Sequence, residues 1–395
     1  MTTTPPPFVH AHATHPDAHL ALALAAAQID AQRAALPAAP AADFSLGWIY
    51  LSEHFAPRAD SLLAELRQRW PGVAWVGASG VGICASGVEY FDEPALALML
   101  AALPREQFRV FSGARPLGRW DAQLAQVHAD GGTPELPELL AELAARTSSG
   151  YLFGGLAAGR AQALQIAEGV WRGGLSGVAF GPGLRMLSRV SQGCQALGPT
   201  RRISACDGSL VTELDGRPAL DCLLQDLALP VASGPAAAQR LREAVPRLRR
   251  ALIGLHPPAS AARSATGSYG EEVLVRHLVG IDPQRRGVAV SAPVAPGQGL
   301  SFCERSPEAA RRDLLRICTE LRSEAEELAS DALLGAVYIS CAGRGGPHFG
   351  APSAELQWIR HALGELPLVG FFAGGEIAHG HLYGYTGVLT VFLRR

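Results

Sequence analysis

Apolar residues fall along the chain in short blocks separated by glycine and proline, a pattern that predicts strands alternating with amphipathic helices. Residues 44–51 read as a strand. Leu62, Leu63, Leu66 and Trp70 then recur at helical spacing after Pro57, which suits a first turn, and Pro71-Gly72 closes that helix. Strands are predicted over 73–77, 95–100, 151–153 and 175–180, with a helix over 136–146. Strands and turns fill 185–214, and a helix is predicted over 218–227. Further strands are expected over 273–279, 288–292, 334–340, 366–371 and 387–393. Ser306 and Pro307 open a long helix to about Leu328, and another helix spans 353–363. Ahead of these, 5–7 and the histidines at 10, 12, 15 and 19 read as an irregular polar tail. Asp17 caps a helix over 17–33, and 36–42 reads as a linker.

One unit occurs more than once. Trp75–Leu100 laid over Leu368–Leu393 needs no gap across 26 positions, with identical residues at Val76/Val369, Gly77/Gly370, Gly82/Gly375, Ala85/Ala378, Gly87/Gly380, Tyr90/Tyr383 and Leu96/Leu389. The preceding strands match at Leu46-Gly47, Tyr50 and Ser52 against Leu334-Gly335, Tyr338 and Ser340. YLFGGLAAG at Tyr151 reads as a degenerate third copy. The expected fold is therefore α/β, with duplicated units, mixed β-sheets and flanking helices. Two such units packed as a pair would set their glycine loops around a shared cleft. Composition turns to alanine, proline and arginine between Pro230 and Arg250, which divides the chain into a tail and helix over 1–43 and domains over 44–230 and 231–395.

Composition narrows the function. Hydrophobic residues make up 48% and charged residues 18% of the 395, below the ~25% charged content usual in soluble domains, so chain-wide disorder is excluded. All 34 basic residues are arginine, which removes Schiff-base and P-loop lysine chemistry. A net charge of -2 gives no field to gather phosphates, and the arginines at 241, 247, 249 and 250 lack interleaved aromatics, so nucleic acid is not an expected partner. No basic residue precedes Arg33, and the apolar runs 20–27 and 95–103 are far short of the ~20 residues that span a bilayer. Neither a secretory signal nor membrane insertion is predicted. Seven scattered cysteines with no CxxC pair fit a reduced, cytoplasmic protein rather than a disulfide scaffold or zinc site. Gly77, Gly80 and Gly82 form G-x-x-G-x-G, not the dinucleotide fingerprint, and no helix follows; no cofactor is expected.

Two clusters carry chemistry. Ser340 to Gly350 follows an apolar strand and precedes a helix, the position at which open α/β sheets bind ligands. There Arg344 offers a forked donor for a carboxylate, the N–H groups of Gly343, Gly345 and Gly346 could cradle an anion, and Cys341 is a nucleophile if its thiolate is favoured. The second cluster, Gly374 to His381, holds Glu376 in a glycine-lined loop, suited to a ligand's ammonium group or to Arg344. In an extended segment His379 and His381 face away from Glu376, and with His348 they could hold a metal only if the loops converge; the plainer reading is hydrogen-bonded histidines and no metal.

These clusters resemble the FIST family, a sensory α/β module with N-terminal and C-terminal parts. The C-terminal likeness lies in CAGRGGPHFG at Cys341, PLVGFFAGGEI at Pro367 and YGYTGVLTVF at Tyr383. The N-terminal likeness lies in GASGVGI at Gly77, VSQGCQALGP at Val190 and VTELDGRPALD at Val211. The resemblance runs from about residue 44 to the C-terminus. It implies a non-enzymatic signal-input domain that binds a small polar ligand, such as an amino acid, and acts through a separate signalling protein. Carried over, the pocket is Cys341, Arg344, Gly345, Phe349, Gly375 and Glu376, with Gly77, Gly82, His348 and His379 as additional candidates. After Glu376 this chain departs from the family pattern, for only residues 378–382 precede the Tyr383 segment. The alternatives are a cysteine-dependent enzyme using Cys341, Glu376 and His379 on a small metabolite, and a protein-interaction scaffold without a pocket.

Overall fold

A computed structural model describes residues 8–35, 44–160, 162–229, 245–257, 273–329 and 332–394. The linker expected over 36–42 and most of the composition shift after Pro230 lie outside the described residues. By compactness the chain forms two units, Met1–Ser191 with Leu314–Arg395, and Gln192–Asp313. The fold is α/β, with several mixed sheets flanked by helices.

The first unit is built from three repeats. In each, a strand leads through a helix to a second strand parallel to the first. The sets are Leu46–Ser52, Ala59–Arg69 and Ala74–Gly80; Ala122–Asp130, Leu136–Ala145 and Thr147–Ala157; and Leu333–Cys341, Ala354–Leu363 and Leu368–Ala373. A hairpin follows, and then a strand antiparallel to the first: Ala95–Ala101, Leu175–Phe180 and Thr386–Leu393. An edge strand completes each repeat: Phe8–Thr14, Phe108–Phe111 and Arg185–Gln192. The degenerate copy at Tyr151 is thus a full repeat, and its second strand runs over eleven residues.

The hairpins are exchanged. Gly82–Ala85 of the first repeat pairs with Leu368–Ala373 of the third. Glu376–Ala378 of the third pairs with Thr147–Ala157 of the second, and Gln165–Ala167 of the second pairs with Ala74–Gly80 of the first. Three six-stranded sheets of identical strand order result, each finished by its neighbour's hairpin in a closed cycle. This corrects the expected pair of units around one cleft. Backbone pairing carries no side-chain address, so a hairpin can satisfy its N–H and C=O groups on any free edge of matching length.

A glycine marks the same place in every repeat. Gly77, Gly154 and Gly370 lie opposite Ile49, Val127 and Tyr338, and a Cβ there would stand 1.7, 1.9 and 1.6 Å from those residues' carbonyl oxygens. Only glycine permits this approach. Aligned on these glycines, the hairpin identities hold, but Tyr338 corresponds to Ile49 rather than Tyr50, and Leu389 corresponds to Leu98 rather than Leu96. Ile49 and Tyr338 accordingly both face the helices.

Helices cover the outer face of each sheet. Leu22, Ile29, Leu62 and Leu66 pack on the first, Leu140 and Leu143 on the second, and Leu314, Ile317, Leu321, Leu356 and Ile359 on the third. Each such buried side chain stabilises by roughly 1.5–3 kcal/mol relative to exposure. The inner faces meet in an aromatic core of Trp48, Tyr50, Phe153, Phe180, Phe371 and Phe392. Inside it, Trp48 Nε1 donates to Gln126 Oε1 at 2.7 Å, Gln126 Nε2 donates to the Tyr50 hydroxyl at 2.6 Å, and that hydroxyl meets His128 Nε2 at 3.2 Å.

The expected polar tail is a correction. Residues Phe8–Thr14 form a strand antiparallel to Ala95–Ala101, with Val9, Ala11 and Ala13 buried and His10 and His12 between them. Alternation of small apolar residues with histidine was the strand signal. The helix after it is Ala18–Ala35, and Asp17 Oδ1 accepts from the N–H groups of His19 and Leu20, as expected of its cap.

The second unit is a closed antiparallel barrel. Strands Gly299–Arg305, Arg201–Asp207, Leu210–Leu214, Gly287–Val290, Leu274–Asp282 and Leu252–His256 pair in that order, and the last returns to the first. The helix Ala219–Asp226 packs on its core, and Arg201 binds Asp226 bidentately at 2.6 and 2.7 Å.

Candidate functional site

The Leu333–Cys341 strand ends in two short 3-10 turns, Ala342–Arg344 and Gly346–Phe349, before the Ala354–Leu363 helix. These turns fold Arg344 back under the loop, where it is 1% exposed. Its partner is Glu355, also 1% exposed: Nε and Nη2 donate to Oε1 at 2.9 and 2.5 Å. Ser191 takes the remaining contacts, through its carbonyl and hydroxyl oxygens at 3.3 Å each. The Tyr338 and Ser340 hydroxyls donate to Glu355 at 2.6 and 2.9 Å. Burial, the largest single effect, disfavours the guanidinium charge, but the charge and hydrogen bonds of Glu355 together with Tyr338 and Cys341 outweigh it and hold Arg344 above its ordinary value. The carboxylate that sequence reasoning reserved for a ligand is thus supplied by the chain itself.

Glu355 was missed, although a signal existed. Glu355, Ile359 and Leu363 share one stripe of their helix, all buried, so a glutamate stands where the amphipathic pattern calls for an apolar residue. Phe349 lies beneath the guanidinium, 5.4 Å from ring centre to Cζ, and packs edge-on against Trp358.

Glu376 belongs to the hairpin lent to the second sheet and has no exposed surface. Its Oε2 accepts from the Thr386 N–H at 3.1 Å and hydroxyl at 2.7 Å, while no N–H or O–H reaches its buried Oε1. Burial lifts the carboxyl to about 7, against the pull of Thr386, of the Arg344 charge and of the Cys341 thiol, a weak donor beside it. Cys341 is half-buried at the mouth of the loop. Burial, and then the charge of Glu376, push its thiol up to about 12; the backbone N–H groups of Gly343 and Tyr385 and the charge of Arg344 oppose this. Cys341, Arg344 and Glu376 are therefore within electrostatic reach of one another.

The other candidates are placed as follows. Gly345 and Gly82 pack against Phe91 and Phe372, Gly375 against Leu156, and Gly77 inside its sheet against Ile49. His348 lies edge-on to Phe349 at 4.7 Å, and exposed His379 lies edge-on to Tyr151 at 4.4 Å. Among the described residues no three His, Cys, Asp or Glu side chains are grouped to hold a metal ion. No described helix is long and apolar enough to cross a membrane.

Three repeats with exchanged hairpins and a buried Arg–Glu pair beneath the loop define the architecture, and comparison with known proteins places it. Residues 45–217 match the FIST N domain and residues 219–379 the FIST C domain. The chain belongs to the FIST family, whose domains are associated with sensory and signal-transduction roles. It is 31% identical over 399 residues to "Uncharacterized protein Rv0628c" of Mycobacterium tuberculosis strain H37Rv, covering 96% of this chain and 98% of that protein. It is also 31% identical over 408 residues to "Uncharacterized protein Mb0898c" of Mycobacterium bovis, covering 96% and 97%. The matched halves divide at residue 218, inside the stretch that compactness assigns to the barrel unit.

Proposed function

We propose that this protein is a non-enzymatic, cytoplasmic sensor of a small polar ligand, acting through a separate signalling protein. The ligand site is the surface formed by Cys341, Gly343 and Tyr385 over Glu376, with Arg344 behind it as a fixed positive charge. The observation that carries this reading is Glu376 Oε1, a buried acceptor that no N–H or O–H reaches and that has only the weakly donating Cys341 thiol beside it. Such an atom costs free energy until a partner arrives, and an ammonium or amide N–H is a suitable one. A zwitterionic amino acid fits if its ammonium meets Glu376 and its carboxylate meets backbone N–H groups, because Glu355 already occupies Arg344. A thiol held near 12 does not favour Cys341 as a nucleophile at neutral pH.

Signalling requires that the ligand bind two conformations unequally. The loop can supply that difference, since a donor reaching Glu376 Oε1 favours the charged carboxylate and so alters the charge felt by Cys341 and Arg344. A thermal-shift screen of the full chain against amino acids, amines and dicarboxylates tests the reading. Saturable stabilisation by a compound with a cationic or N–H donor end, lost in Glu376→Ala with folding preserved, is expected. Stabilisation unchanged in Glu376→Ala would remove the site.

A further inference from the structure

The threefold repetition gives three equivalent seams, each between a repeat's edge strand and its own exchanged hairpin. In the first repeat the register row runs Ala11, Leu98, Ile49, with His12 one residue beyond Ala11. In the second it runs Phe111, Gly177, Val127, with Ser112 one residue beyond Phe111. Across the hairpins, Tyr90 pairs with Ile83 and Trp171 pairs with Gln165, at matching positions. Ser112 is therefore the counterpart of His12, and Trp171 that of Tyr90.

The first seam is closed. His12 Nδ1 meets the Tyr90 hydroxyl at 2.7 Å, and the rings lie 5.5 Å apart. In the second seam a serine replaces the histidine, and a cavity of about 190 Å³ takes the place of that contact. Its volume equals about six waters of liquid. Val110 shares its strand face with Ser112 and gives an apolar floor, while Phe111 on the other face packs in the helix-side core; Trp171 is a wall whose indole is fixed by donation from Nε1 to the Ala167 carbonyl at 2.9 Å. Ser112 is 6% exposed, and its hydroxyl has no hydrogen-bond partner among the described residues. Arg115 stands exposed at the rim of the cavity, and its guanidinium has neither hydrogen bond nor ion pair with a described residue. Glu168 at the rim is already engaged, accepting from the Trp75 N–H at 2.7 Å and standing 4.0 Å from Arg67.

We propose that this seam is a binding site for a small monocyclic carboxylate, with the ring against Trp171 and the carboxylate on Arg115 and Ser112. The chemistry is complementary: a flat apolar body suits the floor and wall, and an anion suits an uncommitted arginine beside a free hydroxyl. The site is separate from the Cys341–Glu376 loop and stands without the sensor reading.

The test is ligand-observed NMR of the full chain with benzoate, alongside benzyl alcohol and acetate. Benzoate is expected to saturate below about 10 mM, and Arg115→Ala to weaken it at least about tenfold. The paired change Ser112→His with Trp171→Tyr rebuilds the first seam's contact and is expected to abolish binding, while circular dichroism shows a native fold. No saturable benzoate signal, equal affinity in Arg115→Ala, or equal affinity for benzyl alcohol would each overturn the proposal.

Discussion

Arg344 and Glu355 form a fully buried ion pair, and removal of one partner has a calculable consequence. In Arg344→Met the Glu355 carboxylate keeps the Tyr338 and Ser340 hydroxyls but loses the guanidinium paired with it. Breaking a buried pair in this way costs about 3–5 kcal/mol, because the desolvated charge stays behind. Glu355→Leu strands the guanidinium and both hydroxyls, at a similar cost. Together, Arg344→Met and Glu355→Leu leave no buried charge, only two hydroxyls short of an acceptor, at about 1–3 kcal/mol each. The double variant is thus expected to be more stable than the summed single losses imply, by roughly 4 kcal/mol at the middle of these ranges. Guanidinium unfolding followed by tryptophan fluorescence reads this cleanly, since all six tryptophans belong to the three-repeat unit. A loss under about 1 kcal/mol in Arg344→Met, or strict additivity, would refute the reasoning.

Glu376 sets a pH dependence of known sign. Its carboxyl titrates near 7 folded against an ordinary 4.5, so the folded state binds the extra proton. The associated stability is full below about 4.5 and is lost as pH rises through 7, amounting to about 3 kcal/mol. Glu376→Gln should remove that decline, and an unchanged difference between pH 5 and 8 would contradict it. His128 acts oppositely: burial lowers it to about 3, so its stability is present above 6.5 and is lost as pH falls towards 3. Replacing His128 with glutamine should flatten acid unfolding in that window, read by circular dichroism. Cys341 should alkylate far more slowly than the same cysteine in unfolded chain at pH 8, and faster in Glu376→Gln, as timed by mass spectrometry of iodoacetamide-treated protein. Gly370→Ala, whose Cβ would meet the Tyr338 oxygen at 1.6 Å, should lose more than about 4 kcal/mol or fail to fold. Gly384→Ala, with open space around it, should stay within about 1 kcal/mol by the same unfolding assay.

The candidate site was half legible. Arg344, Glu376 and Cys341 announced themselves as chemistry-bearing residues in glycine-rich loops, and they do share one electrostatic neighbourhood. That Arg344 faces inward to Glu355 was not read, because one glutamate in the first turn of a helix looks like ordinary dipole compensation. The strand Phe8–Thr14 was passed over for a related reason: histidines and prolines mask an alternation whose apolar members are mostly alanine.

Local chemistry determined the strand–helix–strand unit, its recurrence, the helix caps at Asp17 and Ser306, and the glycines that let strands approach. Those features depend on residues near in sequence, so composition and spacing carry them. Tertiary structure alone decided which sheet each hairpin completes, how the barrel closes, and where the register of Tyr338 and Leu389 falls. Backbone hydrogen bonds are nearly blind to side-chain identity, so the choice among free edges belongs to whole-chain packing.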